Sequence, residues 1–227
     1  VVIVDPADDL NRSAANAILK FLEEPPGNVV LLLLSHTPGR LLATIRSRCR
    51  RLALRPLPDA TVDALLSERH PGLSDTDRAI LVRLSEGSVG HALALAANGG
   101  VDLYREVVGL LAQAPNIDGA GLHALGNRMS GRDQEPAFRM VGEILAGWLA
   151  ALVRAGGTGG TSGESLVAGE AEAMHRLLEA AGLDQWVEVW ENVTTLFGRA
   201  ETAYLDRKQV VLTAFLAVER TARQAAS

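Results

Sequence analysis

The sequence predicts an α/β segment followed by an all-α remainder, mostly helical overall. Three observations carry this. Two short apolar runs, VVIV at 1–4 and VVLLLL at 29–34, bracket a helix-forming stretch, which is the strand–helix–strand rhythm of a parallel sheet. No strand-like run follows Pro58. The rest repeats apolar residues at helical spacing, with Ser, Asp, Gly and Pro at the breaks.

VVIVD is β-branched and wholly apolar up to Asp5, as a buried parallel strand should be. PADDLN is a polar turn. Asn11 or Ser13 can cap a helix running to about Glu24, with Ala14, Ile18, Leu22, Ala15 and Leu19 on one broad face. Pro25-Pro26-Gly27 ends it. VVLLLL reads as a second buried strand, SHTPG as the loop at its carboxyl end, residues 41–46 as a short helix and RLAL at 51–54 as a third strand.

Pro56 and Pro58 mark one boundary and Asn98-Gly99-Gly100 another. Between them lie three predicted short helices, at about 59–69, 74–84 and 88–97, with Asp59 and Ser74 as expected caps. Longer helices are expected at about 101–113, 119–127, 134–154, 165–181, 183–198 and 206–223. The domains read as 1–56, 57–100 and 101–227. Trp148, Trp186 and Trp190 fall on the later helices, where packing explains them better than a binding role. In the last helix Val210, Leu212 or Val211, Phe215 and Val218 share a face. GGTGGTSG at 156–163 reads as a flexible loop; it lacks the Lys and the preceding strand of a phosphate-binding loop.

Hydrophobic residues make up 48% of the 227 and aromatics only 4%, so the core rests on Ala, Leu and Val. Net charge is −5, which argues against a general nucleic-acid binder, although Arg46, Arg48, Arg50 and Arg51 cluster. One cysteine, Cys49, excludes an internal disulfide and fits a reducing, cytoplasmic setting. The five histidines show no metal spacing, and no metal or cofactor is expected. No apolar run reaches the length of a membrane span, and no membrane partner is expected. The chain opens on a strand without Met and reads as the later part of a longer protein.

The stretch DPADDLNRSAANAILKFLEEPPGNVVLLLLSHTPGRLLATIRSRC resembles the DNA polymerase III clamp-loader subunits of the AAA+ class. LEEPP and the Ser47-Arg48-Cys49 triplet are shared with the ATPase (gamma/tau) subunits; DPADD, in place of an acidic pair, points to the bacterial delta prime branch. The likeness is dense over residues 1–55, looser over 56–100 and weak beyond, except at LDRKQVVLTAFLAVE. It implies a partial P-loop parallel sheet of three strands, a helical lid and a C-terminal helical collar that holds subunits in a ring. It also implies that the phosphate-loop strand lies between the second and third strands read here. These three would then not form a continuous sheet alone. That strand, with the phosphate loop and any zinc-binding insert, would belong to roughly 130–160 residues before Val1, a length set by ordinary domain size.

The resemblance assigns roles residue by residue. Asp5 matches the strand-end carboxylate that holds Mg²⁺ in ATPase relatives. The acid that orients the attacking water should follow it, but Pro6 stands there and has no acceptor. Asp8 and Asp9 read as solvated turn residues. Ser35 matches the sensor of the γ-phosphate, with Thr37 as the nearby alternative and His36 as a loop residue. The lid sensor is an arginine in a GSxR turn; here the turn reads GSVG and Gly90 replaces it. Arg48 matches an arginine finger acting in trans on a neighbour's ATP, a role suited to a permanently charged, forked guanidinium. From local sequence alone Arg48 is an ordinary surface arginine like Arg46; with LEEPP and the strand–loop–helix spacing, the finger is the better reading.

The expectation is therefore a non-hydrolysing clamp-loader subunit. Its partners would be gamma/tau ATPase subunits and the delta subunit, with the sliding clamp and primed DNA met through the complex. The alternatives are an ATP-hydrolysing gamma/tau-type subunit, or another AAA+ protein of DNA repair without the collar.

Overall fold

Asn11 starts the first helix. Its side chain accepts a hydrogen bond from the Ala14 amide at 2.9 Å, which settles the cap in favour of Asn11 over Ser13. The computed structural model describes residues 1–158 and 165–224, in two compact units, Val1–Arg55 and Pro56–Ser227.

The first unit contains β1 (Val2–Val4), α1 (Arg12–Glu23), β2 (Leu31–Leu33) and α2 (Ala43–Arg46). β1 and β2 pair in parallel, Val2 opposite Leu31 and Val4 opposite Leu33. Flanking bonds extend the ladder, from Leu34 N to the Val4 carbonyl at 3.0 Å and from Ala7 N to the Leu34 carbonyl at 2.7 Å. The expected face of α1 is the one turned inward: Ala15 is buried and Ala14, Ile18, Leu19 and Leu22 are half-buried.

Two expectations are corrected. Residues 51–54 do not form a third strand; no described strand lies beside them to share ladder bonds, and Leu52 and Leu54 are 81% and 84% exposed. The paired strands are not buried either. Val2, Ile3 and Leu32 are exposed because two strands and two helices offer no second layer over them. The buried hydrophobic residues of this unit are Ala7, Ala15 and Ile45.

Among the described residues, the elements of the second unit are helices: α3 (Asp59–Arg69), α4 (Asp75–Ser85), α5 (Val89–Ala97), α6 (Gly100–Leu111), α7 (Gly119–Met129), α8 (Glu135–Thr158), α9 (Glu170–Ala180), α10 (Leu183–Ala203) and α11 (Arg207–Gln224). Ser74 caps α4, accepting from the Asp77 amide at 3.1 Å. Asp59 does not cap α3; Pro58 holds the cap position, and Asp59 sits in the first turn, where its charge faces the positive end of the helix. Gly156 to Thr158, expected in a loop, are the last residues of α8, and the remainder of that expected loop, to 163, lies outside the described residues.

One continuous core runs through this unit from Val62 to Ala222. α8 lies at its centre against α6 and α10. Gly142 lets them close up, since a Cβ there would sit 2.6 Å from the Phe197 ring. Phe197 stacks at 5.0 Å on Phe138. α8 is long and apolar enough to cross a membrane, contrary to the sequence expectation, yet Phe138, Leu145, Trp148, Leu149 and Leu152 are buried in the bundle, so it is a core helix. Trp186 is fully buried and donates to the Leu177 carbonyl at 3.0 Å. Val210, Val211, Leu212, Phe215 and Val218 of α11 are buried, as their spacing predicts.

Among the described residues the core also contains one acid. Glu170 is 2% exposed and accepts hydrogen bonds from Tyr104, from Arg83 and from the Leu166 and Val167 amides. Both carboxylate oxygens are thereby satisfied, which is what makes a buried charge tolerable. Burial, with the Glu170 charge beside it, pushes the Tyr104 hydroxyl well above its ordinary range.

Candidate functional site

The polar residues singled out by the sequence fall into two groups within the first unit. The first group forms where the strands end. Chain leaving β1 turns through Asp5 and Pro6 into a short 3-10 turn at Ala7–Asp9. Chain leaving β2 turns at Ser35. Pairing of the strands brings these two turns side by side, and Asp8 joins them. Its Oδ1 accepts from the Ser35 hydroxyl at 2.6 Å; its Oδ2 accepts from the His36 and Thr37 amides at 2.7 and 3.1 Å. These bonds, foremost that from Ser35, hold the Asp8 carboxyl below the usual carboxylate range.

This corrects the expectation that Asp8 is a solvated turn residue. It is the hub of the loop that contains Ser35 and Thr37. The connection spans 27 residues, so no local spacing announces it. Asp5 is exposed at the end of β1, and Pro6 follows it through a cis peptide bond. The Ser35 hydroxyl is thus engaged by a carboxylate of its own chain.

The second group surrounds Arg48. Ile45, 1% exposed, anchors α2. The chain then turns, with Ser47 Oγ donating to the Thr44 carbonyl at 3.1 Å. This turn sets Arg48 at the surface. The guanidinium donates from one terminal nitrogen to the Thr44 carbonyl at 3.1 Å and from the other pairs with Glu23 Oε1 at 2.8 Å. The Arg48 and Glu23 side chains are 38% and 51% exposed. Arg46 behaves differently, folding back on the Pro38 and Gly39 carbonyls at 3.2 and 3.4 Å. Cys49 is partly buried, and that burial pushes its thiol up. Glu23 belongs to LEEPP, but nothing in its spacing from Arg48 in the sequence foretells the pair.

Gly90 lies in the second unit, in the first turn of α5. Ser88 caps that helix, accepting from the His91 amide at 3.3 Å. A Cβ at Gly90 would touch nothing within 4 Å, so packing does not require glycine there and a longer side chain would fit. Among the described residues no cluster of three or more His, Cys, Asp or Glu side chains forms a metal site.

Residues 1–58 match the family described as DNA polymerase III, delta subunit. The DNA polymerase III subunit delta' of Pseudomonas aeruginosa is 60% identical over 60 residues, 26% of this chain and 18% of its own length. Over its first 58 residues the chain is delta prime-like. The corresponding protein of Escherichia coli is 47% identical over 95 residues, 42% of this chain and 28% of its own length. DNA polymerase III subunit tau of Escherichia coli is 36% identical over 99 residues, 42% of this chain and 15% of its own length. The matches thus span less than a third of each of these relatives. Both groups of polar residues, around Asp8 and around Arg48, lie inside the delta prime-like segment, whereas Gly90 lies beyond it.

Proposed function

We propose that this chain is a non-hydrolysing subunit of a DNA polymerase III clamp loader, and that Arg48 serves as an arginine finger for ATP held by a neighbouring gamma/tau-type subunit. The observation that carries the reading is the Ser47-Arg48-Cys49 turn. It presents a guanidinium at the surface of the segment, residues 1–58, that is delta prime-like. A guanidinium there can fork onto phosphate oxygens where charge builds in the transition state. The chain's own nucleotide-site positions point the other way. Pro6 offers no acceptor to orient water, Asp8 engages the Ser35 hydroxyl, and Gly90 leaves the lid turn without a cation.

In this reading residues 57–100 act as the lid and 101–227 as the collar, and the delta subunit, the sliding clamp and primed DNA are met through the assembled loader. The tau relatives supply the one observation for a second reading, an ATP-hydrolysing gamma/tau-type subunit. ATP turnover by the intact full-length subunit separates the two. The proposal expects none above background. Turnover that Asp5→Ala abolishes would establish the second reading instead. In the reconstituted loader, Arg48→Ala should lower DNA- and clamp-stimulated ATPase without preventing assembly.

A further inference from the structure

Arg48 reaches no phosphate while its guanidinium rests on its own chain, and the resting contact has specific features. Glu23 lies in the last turn of α1, and Arg48 follows α2, so the pair bridges the two helices. A carboxylate in a last helical turn meets the negative end of the helix dipole, which is unfavourable for the helix itself. The cation of Arg48 offsets that charge. Both partners are well exposed, and an ion pair of that kind is worth only about 0–1 kcal/mol. It is strong enough to bias where the guanidinium rests and weak enough to be given up for a phosphate. The two engagements also exclude each other. A carboxylate 2.8 Å from one guanidinium nitrogen would stand beside the incoming phosphate oxygens and repel them.

We infer that Glu23 is a positioning residue that parks Arg48, and that the Glu23–Arg48 pair must open before the guanidinium can engage a phosphate outside this chain. The inference rests on the finger role proposed above. Its consequence is a brake. Before DNA and clamp arrive, part of the Arg48 population is held on Glu23, and the neighbour's hydrolysis is slowed by that fraction.

The test uses the loader reconstituted with the full-length subunit, in wild-type, Glu23→Gln, Glu23→Asp, Arg48→Ala and Glu23→Gln/Arg48→Ala forms. Glu23→Gln should raise ATPase in the absence of DNA and clamp by about two- to five-fold, the range open to an exposed pair. Glu23→Asp, shorter by one methylene, should give a smaller rise. The double variant should match Arg48→Ala alone. The rise should shrink as salt goes from about 0.05 to 0.5 M, because screening opens the pair in the wild type too. A helix-packing role for Glu23 would not produce that salt dependence. If Arg48→Ala lowers the rate while both Glu23 variants stay at or below wild type, the parking role is wrong and the finger stands. If Arg48→Ala leaves the rate unchanged, the finger role falls and parking falls with it.

Discussion

Asp8 shows how a residue can be legible in type and illegible in role. Its place in DPADD marks it as polar turn, and composition offers nothing more. Its three partners, Ser35 and the His36 and Thr37 amides, come from the far strand and become visible only once β1 and β2 are paired. Arg48 is the converse: its type and its motif single it out, but the acid that holds it, Glu23, is seen only in three dimensions. At Pro6 and Gly90 the residue type can be read directly: one side chain has no acceptor and the other position has no side chain. Asp8→Ala should therefore release the 35–37 loop, seen as faster exchange of the His36 and Thr37 amides by at least about ten-fold. Unchanged exchange would show that the loop is held by other contacts. The sign of the pH dependence follows from the depressed Asp8 carboxyl. Its contribution is fully present above the ordinary carboxyl value of 3.8 and is lost as pH falls below that value through the folded-state pKa. The same two amides should lose protection in that acid window and keep it at neutral pH.

At the scale of elements, the helices were the legible part. Ser74 capping α4, Asn11 capping α1 and the buried face of α11 all follow from local rules, because caps and helical spacing are properties of neighbouring residues. The strands were only half legible. Apolar runs announce strand tendency, but a strand exists only with a partner, so 31–33 forms and 51–54 does not. The turn before α5 depends on Gly87. Its φ is +80°, and a Cβ would lie 2.6 Å from Pro56 Cβ and 2.7 Å from the Leu57 carbonyl oxygen, beside the bond from Leu57 N to the Gly87 carbonyl at 2.9 Å. Gly87→Ala should cost about 2–4 kcal/mol, combining left-handed backbone strain with displacement of the 56–57 backbone. Urea unfolding followed by helical circular dichroism measures this; a loss below about 0.5 kcal/mol would mean that the turn relaxes freely.

Across the molecule, the two units differ in how they are held. The first has three buried hydrophobic residues, Ala7, Ala15 and Ile45, whereas the second has a core that runs through all its helices from Val62 to Ala222. Amide exchange on the 227-residue chain should reflect this. Amides of β1 and β2 should exchange on the order of 100-fold or more faster than those in the middle of α8 and α11, and equal protection would show that the first unit is held by more than its own packing. The central claim is that Arg48 acts on a nucleotide outside its own chain, and the most direct measurement is DNA- and clamp-stimulated ATP hydrolysis by loaders carrying Arg48→Ala or Arg46→Ala. The account predicts intact assembly in both, a fall on the order of 10³-fold or more at the site served when Arg48 is lost, and a near wild-type rate when Arg46 is lost. Equal rates for the two variants, or an unchanged rate with Arg48→Ala, would contradict it.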